Sequence, residues 1–324
     1  MLAARRDLVA SPPESAGAPA TGAVLNAMSV DVEDYFQVSA FEDVVSRASW
    51  DGLESRVTRN TERVLELLAD AGTRATFFVL GWVAERHPRL VRRIADAGHE
   101  VACHSHEHRL VYEMTPREFR ADLRRAKAAI EAAAGVPVFG YRAPTFSITK
   151  KSLWALDVLI EQGFQYDASI FPIRHDRYGI PGAFRHPSRI TRPSGTIWEV
   201  PASTFRLGPV NIPIGGGGYF RLMPYVWTRW AIARLNVVEK QPAVFYLHPW
   251  ELDPEQPRVR ASKLTTWRHR VGLGRTRERL QRLLAEFRFA PIAELLGVGA
   301  IGRTSLPGGG PRARTGRSFR GARF

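Results

Sequence analysis

The sequence predicts an α/β fold in which parallel strands alternate with helices and close into a barrel. Three observations carry this prediction. Apolar runs of strand type alternate with helical patterns from residue 25 to 173, helix start and stop signals separate them, and charged or imidazole side chains follow most strand-like runs. An alternating pattern implies a parallel sheet with helices outside it. Seven or eight such units form a barrel, whose chemistry lies at the carboxyl ends of the strands.

The predicted elements follow one another at ordinary spacing. Strands are expected at residues 25–32 (LNAMSVDV), 74–81 (RATFFVLG), 99–104 (HEVACH), 136–142 (VPVFGYR) and 164–169 (FQYDAS). Helices are expected at residues 58–71, 88–97, 116–134 and 150–162, each followed by a glycine. The third helix starts at a capping box, Thr115-Pro116-Arg117-Glu118, with proline in the first helical position.

The regular pattern weakens after Ile173. Residues 173–220 are rich in Pro, Gly and Arg and contain one strand-like run, TIWEVP, and a further buried strand is expected at 242–248 (PAVFYLH). The run Gly215–Gly218 either lets backbone approach a sugar or forms a flexible loop beside two aromatic residues. The boundaries that follow are a disordered segment at 1–23, a barrel domain at 24–298 and a disordered Arg/Gly-rich tail at 299–324.

The chain is strongly basic. It carries 46 Lys and Arg against 32 Asp and Glu, a formal net charge of +14, with basic blocks at 258–288 and 302–324. The pattern favours a solvated tail and a solvated arginine-rich helix face. The functional alternative is contact with a membrane surface or an anionic polymer. No zinc finger, RNP motif or interleaving of basic and aromatic residues is present, so we expect no nucleic-acid partner.

The cysteine content and the apolar runs bear on location. The single cysteine, Cys103, excludes an internal disulfide and a Cys-rich zinc module. Neither a signal peptide nor an apolar run long enough to span a bilayer is visible. We therefore expect a cytoplasmic protein, and peripheral membrane contact through its basic C-terminal region is an additional hypothesis.

Charged and imidazole side chains gather at the carboxyl ends of the predicted strands. They are Asp31, Glu33 and Asp34 after the first strand, His104, His106 and His108 after the third, Arg142 after the fourth, Asp167 after the fifth and His248 after the last. His104 and His108 are four residues apart, which on a helical turn places both imidazoles on one face. Two imidazoles and one carboxylate with an open position are typical of catalytic zinc. The remaining groups include a base and an acid.

These residues resemble the motifs of the polysaccharide deacetylases with NodB homology, carbohydrate esterase family 4. The five matching motifs are VDVED, His104-Ser105-His106-Glu107-His108, Tyr141-Arg142-Ala143-Pro144, Asp167-Ala168-Ser169 and Tyr246-Leu247-His248. The runs VDVEDYFQVSAFE and FYLHPWELDPEQPR further resemble the subfamily of exosortase and exopolysaccharide loci. The resemblance covers residues 25 to 297, with a subfamily-specific part from about 173. It implies a distorted (β/α) barrel of about seven parallel strands, a divalent metal, usually zinc, and hydrolysis of N-acetyl groups on a polymer sugar.

The resemblance also implies roles for individual residues. His248 is expected to be the general acid, with Asp167 beside it keeping it protonated, and Arg142 is expected to orient Asp31. We expect the backbone N–H of Tyr35 to help hold the oxyanion. Substrate contacts are expected from Pro144, Tyr219 and Trp250, the last with a structural plug as its alternative.

The acidic run Asp31-Val32-Glu33-Asp34 leaves the carboxylate ligand open. Side chains alternate along a strand, so Asp31 and Glu33 share a face and Asp34 points away unless the strand has ended. We favour Asp31 as general base and Glu33 as metal ligand, with Asp34 as the alternative ligand. His106, between the two ligand histidines, is expected to point elsewhere.

Three functions fit these motifs. The first is a deacetylase acting on an N-acetylated exopolysaccharide or related glycan. The second is an amidohydrolase acting on a small cyclic amide or ureide, as in allantoinase-like relatives of the family. The third is a non-catalytic glycan-binding barrel, against which the combination of base, ligands and acid argues.

Overall fold

A computed structural model describes residues 9–11 and 24–299. The disordered tail predicted at 299–324 lies outside the described residues, except for its first residue. The same holds for most of the segment predicted to be disordered at 1–23. Val9–Ser11 corrects that prediction locally, because it forms a strand that pairs antiparallel with residues 189–191.

The strands of the described part of the chain are short. They are β1 Val9–Ser11, β2 Asn26–Val32, β3 Thr76–Val79, β4 Glu100–Cys103, β5 Gly140–Tyr141, β6 Tyr166–Asp167, β7 Ser188–Arg192, β8 Gly195–Glu199, β9 Thr204–Leu207, β10 Val210–Pro213, β11 Val244–Leu247 and β12 Phe289–Ala290. The main sheet has the order β1-β7-β8-β6-β5-β4-β3-β2-β11, and β12 also pairs with β2. β9 and β10 form a separate hairpin.

The helices pack outside this sheet. They are α1 Val57–Asp70, α2 Gly81–Arg86, α3 Pro88–Asp96, α4 Pro116–Ala134, α5 Trp154–Glu161, α6 Gly217–Leu222, α7 Tyr225–Arg234, α8 Lys263–Arg270, α9 Leu273–Glu286 and α10 Ile292–Leu296. The predicted capping box of α4 is confirmed, since Thr115 accepts from the N–H of Glu118 and Glu118 accepts from that of Thr115. Among the described helices, none combines the length and hydrophobicity needed to cross a membrane.

The sheet confirms the predicted parallel barrel and shows where it is distorted. Within the described residues, seven strands run parallel in one path from β8 through β6, β5, β4, β3 and β2 to β11. Between β8 and β11 the ladder gives way to single contacts. Ser203 N–H donates to Val244 O at 3.1 Å, and Tyr246 N–H donates to Gly215 O at 2.7 Å. Because the strands are parallel, their carboxyl ends meet at one edge.

The glycine run at 215–218 has a packing function that neither sequence interpretation described. Gly216 has a φ of 123°, and a Cβ there would lie 1.8 Å from the carbonyl oxygen of Tyr246. Only glycine allows the backbone to approach β11 this closely. The run ends by starting α6, so it helps to close the barrel.

Candidate metal centre and active site

The three carboxylates at the end of β2, those of Asp31, Glu33 and Asp34, point in two different directions. Asp31 and Glu33 are both buried and line the same cleft at the carboxyl edge of the sheet. Asp34 points away and caps the start of α1: its Oδ2 accepts from the N–H groups of Arg56, at 2.8 Å, and Val57, at 3.1 Å. The alternation of side chains used in the sequence analysis therefore continues for two residues beyond the strand, through Glu33 and Asp34. Asp34 is not brought to the metal group, which corrects its prediction as an alternative ligand.

The two ligand histidines are presented by a loop, not by the helical turn that the spacing predicted. After β4 the backbone adopts left-handed conformations at Ser105 (φ 64°) and His108 (φ 54°). The turn is held by the Ser105 carbonyl, which accepts from Gly81 N–H at 2.9 Å, and by the Ser105 hydroxyl, 2.7 Å from the hydroxyl of Tyr141. The four-residue spacing thus works through a tight loop that folds His108 back beside His104.

Glu33, His104 and His108 form a buried group with ligand atoms within 4.8 Å of one another. His108 Nε2 lies 2.8 Å and His104 Nε2 lies 3.9 Å from Glu33 Oε2. His104 Nδ1 is 2.8 Å from the carbonyl oxygen of Arg142, a contact that orients the ring and leaves Nε2 for a metal. Two imidazoles and one carboxylate suit zinc, so these residues fit a divalent metal.

Electrostatics in this group favour cation binding. Burial opposes ionisation of Glu33, but the adjacent His108 and His248 imidazoles lower its pKa to about 2. Burial lowers the pKa of His104 to about 4, which keeps the ring neutral. A carboxylate and a neutral imidazole are the protonation states that metal binding requires.

Arg142 lies completely buried behind Asp31. Its Nη1 donates to Asp31 Oδ1 at 2.7 Å and to the hydroxyl of Ser29 at 2.9 Å, and its Nε donates to Ala168 O at 3.2 Å. The guanidinium also stacks over Phe78 at 4.2 Å. The structure therefore pairs Arg142 with Asp31 and fixes the carboxylate, as the motif predicted.

His248 faces the metal group from β11 and has a different partner from the predicted one. Its Nε2 lies 3.7 Å from Glu33 Oε1 and 3.9 Å from Asp31 Oδ2. Its Nδ1 contacts Glu251 Oε1 at 2.6 Å. Burial favours the neutral ring, but Glu33, Glu251 and Asp31 raise the pKa of His248 to about 9.

Asp167 is not the partner of His248, which corrects the sequence prediction. Its Oδ1 accepts a short hydrogen bond from the hydroxyl of Ser169. Its carboxyl group also contacts that of Glu199, the residue opposite it in the sheet, and Glu199 accepts from the N–H of Ile170 at 2.9 Å. Burial raises the pKa of both carboxyls, that of Asp167 to about 6 and that of Glu199 well above its ordinary value. Burial therefore favours the protonated form of Glu199 in this pair.

The predicted substrate residues fall in several places. Trp250 lines the cleft, stacks on His248 at 5.1 Å, and donates from Nε1 to Glu33 Oε1 at 3.2 Å. Pro144 is buried at the start of a short turn whose next residues line the cleft. Tyr219 packs beside the buried aromatic cluster of Phe146, Phe171 and Tyr246 and not against the metal group. The N–H of Tyr35 donates to Asp34 Oδ1 at 3.0 Å, so it is not free to hold an oxyanion, which corrects that prediction.

His106 points away from the metal group, as expected for the residue between the ligands. Its Nε2 lies 3.0 Å from Glu85 Oε1, and its ring packs where a Cβ on Gly81 would otherwise lie. We did not predict from the sequence the pairing of Glu251 with His248, the contact of Arg221 with Glu251 or the pairing of Glu199 with Asp167. The three-residue step from His248 to Glu251 was a usable local signal for the first of these.

The cleft that joins these groups has a volume of about 630 Å³. Its inner end holds Asp31, Glu33, His104, His108 and His248. Aromatic side chains form much of its wall, namely Phe146, Tyr178, Tyr246 and Trp250. A carbonyl group that enters this cleft meets a cation site, a carboxylate and an imidazole together, which is the arrangement for metal-assisted hydrolysis.

The sequence matches two protein families in succession. Residues 40–166 match the family Polysaccharide deacetylase, and residues 168–297 match Domain of unknown function (DUF3473). The chain carries a polysaccharide deacetylase domain. The deacetylase match contains His104, His108 and Arg142, whereas Asp31 and Glu33 precede it. The domain of unknown function supplies His248, so the site draws on both matched regions and on the strand that precedes them.

Related proteins agree with this assignment. A peptidoglycan-N-acetylglucosamine deacetylase of Bacillus cereus is 31% identical over 98 residues, 30% of this chain and 36% of the relative. A chitooligosaccharide deacetylase of Sinorhizobium fredii is 36% identical over 100 residues, 31% of this chain and 44% of the relative. The chain thus spans less than half the length of either relative.

The deacetylase fold extends beyond the matched domain. The structure is similar to that of a candidate polysaccharide deacetylase from Mycobacterium smegmatis, with a TM-score of 0.58 and 21% identity, over 89% of this chain and 93% of the other. At this identity the similarity establishes the fold. Both matched regions of the chain therefore belong to one barrel, as the parallel sheet also indicates.

Proposed function

We propose that this protein is a metal-dependent hydrolase that removes N-acetyl groups from amino sugars of an exopolysaccharide or a related glycan. The observation that carries the proposal is the buried group Glu33, His104 and His108, facing Asp31 and His248 across one cleft. The deacetylase names of the relatives support the reaction class. The resemblance to exopolysaccharide-locus proteins supports the substrate class.

Glu33, His104 and His108 would hold the metal, and their chemistry favours zinc. A bound divalent cation lowers the pKa of water and polarises the carbonyl group of an acetamide. Asp31, oriented by Arg142, accepts the proton of the attacking water. The Nε2 of His248 faces the same place and donates a proton to the amide nitrogen. The C–N bond then breaks, which leaves acetate and a free amino sugar.

The aromatic wall supports a carbohydrate substrate. Tyr178, Tyr246 and Phe146 line the same cleft as the metal group, and the ring centroid of Phe146 lies 5.9 Å from that of Tyr178 and 5.1 Å from that of Tyr246. Aromatic rings offer broad apolar surfaces of the kind that pack on pyranose C–H faces. A cleft of about 630 Å³ has room for more than the acetamide group itself.

The test is acetate release from N-acetylglucosamine oligomers and N-acetylated exopolysaccharide. We expect release that requires zinc, stops with a chelator and falls by at least about 10²-fold in Asp31→Asn. Zinc content and thermal unfolding of the variant control for damage to the fold. Zinc-loaded protein that releases acetate from no glycan would contradict the proposal, and ureides would then be the next substrates to test.

Peripheral contact with an anionic membrane is a second part of the proposal. Arg258, Arg260 and Lys263 are exposed, and α8 also exposes Leu264 (55%) and Trp267 (53%). Basic and apolar side chains together on one helix are typical of membrane-surface contact. Co-sedimentation with phosphatidylglycerol vesicles, lost in Lys263→Glu/Trp267→Ala, would support it. Equal sedimentation with neutral and anionic vesicles, or none at low salt, would contradict it.

A further inference from the structure

Glu251 is a fully enclosed carboxylate that the deacetylase motifs do not include. It is 1% exposed. Its Oε1 lies 2.6 Å from His248 Nδ1 and accepts from the backbone N–H of His248 at 3.1 Å. Its Oε2 accepts from Arg221 Nε at 2.8 Å. Each carboxylate oxygen therefore has a defined partner, and one of these partners is the proposed general acid.

Arg221 is itself fixed by its surroundings. It is 5% exposed, and its Nη1 donates to the carbonyl oxygens of His269 and Val271, at 2.8 Å each. The first of these carbonyls belongs to α8 and the second directly follows that helix. A guanidinium with this many fixed contacts holds a carboxylate in one place, because movement would break several hydrogen bonds together.

The acid is also held by ring stacking. Trp250 lies between His248, at 5.1 Å and 20° between ring planes, and His269, at 4.3 Å and 21°. The same Trp250 donates to Glu33 of the metal group. Trp250 packs on the ring of His248 and Glu251 contacts its Nδ1, so Nε2 is the ring nitrogen that faces Asp31 and the metal group.

We propose that Glu251, held by Arg221, is the positioning residue for the proton donor His248 in this deacetylase. The inference rests on the proposed function. It gives the region matched to a domain of unknown function a specific task, because Arg221, Glu251 and His248 all lie within it. One proton of the His248 imidazolium stays on Nδ1, where it is donated to Glu251. The other proton, on Nε2, is the one available to the substrate, and Nε2 faces Asp31 and the metal group.

The proposal predicts dependence on the leaving group. Amide hydrolysis moves the Nε2 proton to the substrate nitrogen as the C–N bond breaks, and the amine leaves neutral. The leaving group of 4-nitrophenyl acetate is 4-nitrophenolate, which departs as an anion and needs no proton. The same active site can therefore cleave this ester without an oriented acid. Substitution of Glu251 should therefore slow hydrolysis of the acetamide and leave the rate of ester hydrolysis unchanged.

The experiment compares Glu251→Gln with the wild type on N-acetylglucosamine oligomers and on 4-nitrophenyl acetate, both with zinc. Gln keeps the shape but not the charge. We expect kcat for the oligomer to fall by about 10²-fold with little change in KM, and kcat for the ester to stay near the wild-type value. Equal loss on both substrates, or no loss on either, would overturn the proposal.

A control is Glu239→Gln, which removes a partly buried carboxylate that is also paired with an arginine. Glu239 contacts Arg185 at 3.0 Å, and it does not line the cleft. This variant should keep the wild-type ratio of amide to ester activity. If it lowers the ratio as much as Glu251→Gln does, the effect is a general one of charge removal and the proposal fails.

Removing one charge of a buried pair destabilises a protein, so a second variant guards against unfolding. Arg221→Met/Glu251→Gln removes both charges, and it should fold, bind zinc and still show the low amide-to-ester ratio. A wild-type ratio in the double variant would overturn the proposal. In the wild type itself, NMR should detect a slowly exchanging Nδ1 proton on His248; a deprotonated or freely exchanging Nδ1 would also overturn it.

These outcomes are separate from those of the proposed function. Wild-type protein that releases no acetate from any glycan contradicts the deacetylase. Wild-type protein that deacetylates glycans while Glu251→Gln does so equally well contradicts only the positioning role.

Discussion

Glu33→Gln and Asp34→Asn form a matched pair that tests which carboxylate binds the metal. Both replace a buried carboxylate by its amide, one residue apart. Glu33 lies 2.8 Å from His108 Nε2 and belongs to the metal group. Asp34 instead accepts from the N–H groups of Tyr35, Arg56 and Val57. We expect only the first substitution to weaken zinc binding.

The magnitude follows from the ligand set of the site. Glu33 supplies one of the three ligand atoms of the metal group, and His104 and His108 supply the others. Loss of even an outer partner of a metal ligand weakens metal binding by about 10–100-fold. The zinc dissociation constant of Glu33→Gln should therefore rise by at least about 10²-fold.

Asp34→Asn should change stability and not metal affinity. The amide keeps one acceptor oxygen but loses the charge that caps α1, which costs about 1–2 kcal/mol in the free energy of unfolding. Zinc competition against a chromophoric chelator and urea unfolding of both variants measure the two effects. Loss of zinc affinity in Asp34→Asn equal to that in Glu33→Gln would refute the assignment.

Three further predictions follow from packing and charge. Gly216→Ala should unfold the protein or lower its stability by more than about 3 kcal/mol in thermal unfolding, since its Cβ would meet the Tyr246 carbonyl at 1.8 Å; a stable variant contradicts this. Burial and Asp167 raise the folded-state pKa of Glu199, so its contribution to stability is complete below pH 4.5 and is lost as the pH rises. Glu199→Gln should therefore gain stability relative to the wild type as the pH rises above 4.5 in urea unfolding, and parallel pH curves would contradict the raised pKa of Glu199. Arg142→Lys should lower kcat for the N-acetyl glycan by about 10²-fold with an unchanged zinc content, because the proposed base loses its fixed partner; a wild-type kcat would contradict that role.

Much of the fold and of the metal group was readable in the sequence, because the relevant signals are local. The capping box at Thr115 and the following glycine bracket α4 at the predicted residues. Strand alternation placed Asp31 and Glu33 on one side of the sheet. The four-residue spacing of His104 and His108 correctly brought them together, although a left-handed loop and not a helical turn does so.

The partners of these residues were decided by the tertiary structure. The motifs suggested that Asp167 is the hydrogen-bond partner of His248. In the structure, Asp167 at the end of β6 contacts Glu199 and Ser169 instead. Glu251 takes its place because a short turn follows β11 and folds the carboxylate back onto Nδ1.

By itself the sequence determined the parallel barrel, the residues at its carboxyl edge and the resemblance to deacetylases, since periodicity, caps and spaced motifs act over a few residues. Only the tertiary structure decided that Asp34 caps a helix, that the glycine run packs on β11 and that Arg221 supports Glu251. The physical reason is that the direction of a side chain beyond a strand end, and the partner of a buried charge, depend on contacts between segments far apart in the chain.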